Sequence, residues 1–151
     1  WEVHNMSLGE RDGESTINIS KNSVSSSILK DLPQLTESAP EATFIKKEVI
    51  IIKKLDTIFE DLKIKGKNIY LKIDTQGYEK MVLDGAVESL KNITGIQIEM
   101  ALIPSYEGSL TFEEMSANLK NLGFKLTTIE SGHYNKKTGK LLEVDGVFFK
   151  N

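Results

Sequence analysis

Three carboxylates in the middle of the chain have the types and spacing for acid–base or ligand-orienting chemistry. Asp74 and Glu79 lie in Lys72–Glu79 (KIDTQGYE), and Glu99 follows in Ile96–Ala101 (IQIEMA). A carboxylate at a strand tip can orient or deprotonate a hydroxyl, or help hold a metal. It can equally cap the helix that follows, and position alone weighs these two roles evenly for Asp74. Glu79 falls in a first helical turn, where the helix dipole already favours an acid. Glu99 alternates with Ile96, Ile98 and Met100, and in a sheet covered on both faces such a carboxylate needs a partner. Tyr106, in the next loop, either flanks a ligand or packs. Asn5 and Ser7 close the opening apolar segment.

Other chemistries find little support. Cysteine is absent and the two histidines, His4 and His133, stand at opposite ends of the chain. That removes disulfides, thiolate metal sites and cysteine nucleophiles, and leaves no His-x-x-His pair. His133 sits in a turn-rich loop and reads as a surface residue. No G-x-S-x-G elbow is present, and the glycines form neither G-x-G-x-x-G nor a P-loop.

The elements that must position these groups follow from hydrophobic period and turn residues. Trp1–Leu8 reads as a short strand, followed by turns at Gly9 and at Asp12-Gly13. Ser15–Ser20 alternates as a strand. Residues 21–43, rich in Ser and carrying Pro33 and Pro40, read as a mobile loop with one helical turn at Ser27–Leu32. Glu48–Lys53 is a β-branched strand. Leu55–Ile64 has helical spacing, with Thr57 and Glu60 at capping-box spacing and Gly66 as its end. Asn68–Asp74 reads as a central strand buried on both faces. Tyr78–Leu90 is a helix with the stripe Tyr78, Val82, Ala86 and Leu90, and with Gly85 and Ala86 small enough for close approach to a sheet. Ile96–Ala101 is a strand. Thr111 and Glu114 cap a helix whose apolar face is Phe112, Met115, Leu119 and Leu122, closed by Gly123. Phe124–Glu130 and Leu141–Phe149 are the last strands. Strands separated by helices imply parallel pairing with right-handed crossovers. The final connection holds no helix, so the last two strands pair antiparallel, one of them inserted as a hairpin.

Bulk properties bound the class. A chain of 151 residues with 39% hydrophobic content suits one globular domain. Its net charge of −3 gives no support for nucleic-acid binding. No apolar run approaches the roughly 20 residues of a membrane span, and no signal peptide opens the chain. Starting at Trp1, directly on an apolar segment, it reads as the later part of a longer protein.

With those residues in view, a family resemblance emerges. Lys72-Ile73-Asp74-Thr75-Gln76-Gly77-Tyr78-Glu79 and then Val82-Leu83-Asp84-Gly85-Ala86 closely resemble the signature of the FkbM-type methyltransferases, K-I-D-x-x-G-x-E followed by V-L-x-G-A. Gln97-Ile98-Glu99, Leu122-Gly123-Phe124 and Val144-Asp145-Gly146-Val147-Phe148 continue it. Upstream, Asn5-Met6-Ser7-Leu8-Gly9 resembles the family's N-x-A-L-G, with Ser7 in place of Ala. Ser26-Ser27 resembles its serine pair and Leu55-Asp56 its L-D.

The resemblance implies an α/β fold: a Rossmann-like class I methyltransferase sheet, mostly parallel, with a C-terminal antiparallel hairpin and truncated at its N-terminal side. Residues 1–151 would form one partial domain. It places Trp1–Leu8 at the third strand of that fold and Asp74 at the end of the fourth. The implied cofactor is S-adenosylmethionine, with Asn5, Ser7 and Leu8 near its adenine end, while the glycine-rich loop and the acidic residue that grip the rest precede this segment in the family. The implied reaction is O-methylation of a small-molecule or sugar hydroxyl; no residue is assigned to a metal, and the composition fits the cytoplasm with neither a membrane nor a nucleic-acid partner. Asp74 and Glu79 take the catalytic roles, and Glu99, Tyr106 and Ser26 shape the acceptor pocket. Two rival readings remain: a truncated, non-catalytic fragment of such a domain, and a carbohydrate hydrolase using two of the three carboxylates, which would need them about 5–9.5 Å apart.

Overall fold

The computed structural model describes residues 2–62, 64 and 68–150. These form seven strands and four short α-helices: β1 (Ser7–Leu8), β2 (Gly13–Ser20), α1 (Pro33–Ser38), β3 (Phe44–Lys53), α2 (Leu55–Ile58), β4 (Ile69–Ile73), α3 (Glu79–Asp84), β5 (Ile93–Ala101), α4 (Phe112–Asn121), β6 (Phe124–Ser131) and β7 (Glu143–Lys150). The strands make two sheets, in the orders β1-β3-β2 and β4-β5-β7-β6.

Both sheets are mixed. β1–β3 and β4–β5 are parallel, whereas β2–β3, β5–β7 and β6–β7 are antiparallel. The expected mostly parallel sheet is therefore corrected: the architecture is α/β with two small mixed sheets. The inserted hairpin is present, because β7 enters between β5 and β6 and runs against both.

One apolar core serves the larger sheet. Ile73 of β4, Ile96, Ile98 and Met100 of β5, and Val144 and Phe148 of β7 pack against Val82 and Leu83 of α3 and Met115 and Leu119 of α4. Both helices thus load the same sheet face. Tyr70, Lys72 and Phe149 are exposed, so β4 is not buried on both faces as its apolar sequence suggested. Its alternation (Tyr70 and Lys72 out, Ile73 in) is that of an edge strand with one covered face. On that open face the Tyr70 and Phe149 rings lie 6.0 Å apart over Gly95, where a Cβ would come within 2.6 Å of Phe149.

The helices are shorter than their periodicity implies. The stripe Tyr78, Val82, Ala86 and Leu90 is buried throughout, but α3 ends at Asp84 and a 3₁₀ turn, Ser89–Asn92, follows. The break sits at Gly85, whose carbonyl accepts from Asp56 N (3.0 Å) instead of continuing the helix. Gly85 approaches the Gly9 carbonyl rather than the sheet, and a Cβ there would lie 1.9 Å from that oxygen. α2 likewise starts at Leu55, and the Thr57 hydroxyl donates to Asp12 Oδ2 (3.0 Å), so Thr57 is not its cap. The expected helix end at Gly66 and the opening Trp1 lie outside the described residues.

α4 matches its signals in full. The Thr111 hydroxyl accepts from Glu114 N while the Glu114 carboxylate accepts from Thr111 N, and Gly123 follows with φ of +88°. The helical turn expected at Ser27–Leu32 lies instead at Pro33–Ser38, where Pro33 suits a first helical position. Residues 21–43 are stitched down on both sides. Ser27 pairs with Asn18 of β2, and Asp31 bridges Tyr106. Among the described residues no helix is long and apolar enough to cross a membrane.

Candidate functional site

The corner Lys72–Glu79 leaves β4 at Ile73 and enters α3 at Glu79. Between them Gln76 and Gly77 adopt left-handed φ of +55° and +90°. Glycine is required at the second position, because a Cβ would come 2.8 Å from the Tyr106 Cβ. Glu79 closes the turn from below. Its Oε1 accepts from Thr75 N (2.8 Å), Thr75 Oγ1 (3.1 Å) and Gly77 N (3.2 Å). Glu79 is buried, and desolvation raises its pKa against the lowering effect of those donors.

Asp74 stands on the other side of the turn, exposed. Gln76 Nε2 donates to Asp74 Oδ1 (2.9 Å) and to Glu99 Oε2 (2.9 Å), so the amide joins the two carboxyl groups. The buried Tyr106 hydroxyl lies 2.9 Å from Gln76 Oε1, and the Ser27 hydroxyl donates to the Gln76 carbonyl (2.7 Å). Lys72 lies 3.7 Å from Asp74 and 2.6 Å from Asp145 of β7.

The electrostatics are those of a crowded acidic pocket with one cation. Burial, then the charges of Glu143, Asp74, Glu79 and Asp145, push Glu99 up to about 9. Burial and Asp74 raise Glu143, although Ser105 works the other way. Tyr106 is pushed up by burial and by the surrounding acids. Partial burial opposes the Lys72 ammonium, yet its hydrogen bond and charge contact with Asp145, together with Asp74 and Glu99, raise it. Among the described residues no group of three or more His, Cys, Asp or Glu has the arrangement to hold a metal ion.

A groove of about 410 Å³ runs from this corner to β1, with Ser7, Leu8, Asp74 and Thr75 on its walls. Asn5 lines a neighbouring groove of about 520 Å³, which it shares with Ser7. The structure therefore brings Asp74, Glu99 and Tyr106 into one network and sets Ser7 and Leu8 across a groove from it. Ser26 points elsewhere: its hydroxyl donates to Ser23 O (2.6 Å) and accepts from Ser20 N (3.1 Å). It is the adjacent Ser27 that reaches the corner.

Sequence reasoning passed over Gln76, Lys72, Glu143 and Asp145 as site residues. Gln76 carried no signal of its own. Glu143 and Asp145 did: they alternate through an otherwise apolar strand on the side that faces Glu99. The Leu55-Asp56 pair has a plain structural task. Leu55 is buried, and Asp56 accepts from Glu88 N, Ser89 N and Ser89 Oγ, which holds the turn after α3.

The model of one family, described as the Methyltransferase FkbM domain, matches residues 2–126. That span takes in the β1 groove, the Lys72–Glu79 corner, Glu99 and Tyr106, and stops inside β6. No curated protein and no solved structure matches the chain. Because the match covers most of the 151 residues and contains the whole corner from which the acidic network is built, the chain belongs to the FkbM methyltransferase domain family.

Proposed function

We propose that the corner and its groove form the acceptor side of an S-adenosylmethionine-dependent O-methyltransferase. The observation that carries this reading is Asp74 itself: an exposed carboxylate at a strand end, with Oδ1 held by Gln76 and Oδ2 3.7 Å from the Lys72 ammonium, opening on the groove that also meets Ser7 and Leu8. Ligands of open α/β sheets gather beyond such strand ends. Leu8 offers an apolar contact and Ser7 a hydroxyl, a combination suited to the adenine end of the cofactor, with Asn5 beside them. When bound, S-adenosylmethionine supplies a sulfonium methyl to an acceptor oxygen.

The chain's own residues orient the acceptor and take its proton. Asp74 accepts the hydroxyl proton, and Lys72 beside it balances the charge of the acids around it. Glu99 and Tyr106 form the back of the acceptor pocket, and Glu79 holds the turn that presents Asp74. The acceptor is a small molecule or glycan bearing a free hydroxyl, not nucleic acid, since the acidic pocket repels phosphate. The lack of cysteine fits action in the cytoplasm.

The test is Asp74→Asn in the full-length protein. Transfer of a radiolabelled methyl group is followed to a panel of sugars and polyketide-type hydroxyl compounds, and to any acceptor the wild type methylates. The expected result is a fall in kcat of about 10²–10⁴-fold, the usual contribution of a positioned base. An unchanged rate on a verified acceptor would remove Asp74 from the mechanism.

A further inference from the structure

Gln76 is the residue of the corner whose conformation costs most and whose side chain is most completely used. It is one of two non-glycine residues with positive φ among those described, at +55°, a region that L side chains enter at an energetic cost. Such strain persists only where the surroundings hold it. They do so here at both ends. The Ser27 hydroxyl takes the Gln76 carbonyl at 2.7 Å. Ser27 is in turn fixed to β2, because its own carbonyl accepts from Asn18 N (2.8 Å) and Asn18 Nδ2 (3.0 Å). The side chain is then aimed at three partners: Asp74 Oδ1 and Glu99 Oε2, each 2.9 Å from Nε2, and the Tyr106 hydroxyl, 2.9 Å from Oε1.

A primary amide has two hydrogens to donate and a carbonyl oxygen to accept. All are engaged. Nε2 faces the two carboxyl groups, and Oε1 faces the Tyr106 hydroxyl, whose single hydrogen it shares with Ser25 O at 3.1 Å. Asp74 and Glu99 are therefore tied through a neutral bridge.

We infer that Gln76 is a positioning residue, an amide clamp that joins Asp74 to Glu99 and commits Asp74 Oδ1, leaving Asp74 Oδ2, 3.7 Å from the Lys72 ammonium, as the oxygen presented to an acceptor. The bridge follows from geometry alone; its catalytic value rests on the proposed role of Asp74. The clamp lies in a field that includes Glu143 and Asp145 of β7, Lys72 of β4, Glu79 at the start of α3 and Tyr106 from the loop after β5.

The experiment is nitrogen-15 NMR of the Gln76 side-chain amide in the intact chain, assigned by its disappearance in Gln76→Met. Two resolved hydrogens, exchanging with water roughly five-fold or more slowly than a free glutamine amide, are expected from bonds to fixed carboxyl groups. One of them shifts with pH around a midpoint of about 9 as Glu99 ionises, and that transition is lost in Glu99→Gln. In Tyr106→Phe, which keeps the ring, exchange speeds up because the amide loses the hydroxyl that orients it. An amide that exchanges like free glutamine, or whose hydrogens ignore the ionisation of Glu99, overturns the clamp. The outcome is separable from that for Asp74. A protected amide with an active Asp74→Asn enzyme leaves the clamp standing and removes the base. A free amide with an inactive Asp74→Asn enzyme does the reverse.

Discussion

At the scale of single residues, the acidic corner is a set of carboxyl groups with divided tasks. Glu79 spends one oxygen on three donors of its own turn, Asp74 is exposed, and Glu99 is half-buried among other acids. The rise of Glu99 from its ordinary 4.5 to about 9 has a consequence for stability. A group whose folded pKa lies above its unfolded value holds its proton longer when folded, so its contribution is full below the unfolded pKa and is lost as pH rises through the folded one. Thermal midpoints of the wild type should therefore fall from pH 5 to pH 9 more steeply than those of Glu99→Gln, and the variant should be the more stable of the two at pH 8. Parallel curves for the two proteins would show that Glu99 ionises as freely folded as unfolded. The sequence showed Asp74, Glu79 and Glu99 as candidates because acids at strand ends are visible in a period-two pattern. It did not show Gln76, since an amide in a turn is unremarkable until its three partners, Asp74 beside it and Glu99 and Tyr106 from further along the chain, surround it.

At the scale of elements, local signals were read well where local forces decide. The α4 capping box, the Gly123 end and the antiparallel final strands depend on neighbours in sequence, and all are present. Helix lengths were read poorly where long-range packing decides. The spacing of Tyr78–Leu90 is helical throughout, yet the chain leaves the helix at Gly85 because Gly9 and Asp56 claim its surroundings. Gly85→Ala should therefore destabilise the domain well beyond a propensity change. With backbone 1.9 Å from the new Cβ, the two segments must part, and a loss of about 1–3 kcal/mol or more in urea unfolding is expected. A neutral Gly85→Ala would mean that the loop after β1 can move away freely.

At the scale of the whole molecule, the expectation of a mostly parallel sheet failed for a topological reason. Periodicity shows that a segment is a strand but not which strand it will lie beside. β3 pairs parallel with β1 and antiparallel with β2, while β7 turns the second sheet mixed. Interior position should also grade the protection of backbone amides. Among the described residues β5, β7 and β3 have a paired strand on both sides, whereas β1, β2, β4 and β6 have one, with β2 adding only the bridge from Asn18 to Ser27. Native-state hydrogen exchange should thus find its slowest amides in β5 and β7, over the shared core, and faster exchange in β4 despite its apolar sequence. Equal protection of β4 and β5 in the isolated chain would indicate a further strand lying along β4.

The placement of β7 between β5 and β6 also bears on how the molecule is made. β6 is synthesised before it has anything to pair with, and it keeps an open edge on both sides until Glu143–Lys150 leaves the ribosome. The same eight residues bring Glu143 and Asp145 up to Glu99 and Lys72. A nascent chain halted before Glu143 would leave β6 and the free edge of β5 open to aggregation and would carry Asp74 without its charge-balanced surroundings, so the sheet and the acidic pocket are completed together, when β7 is translated.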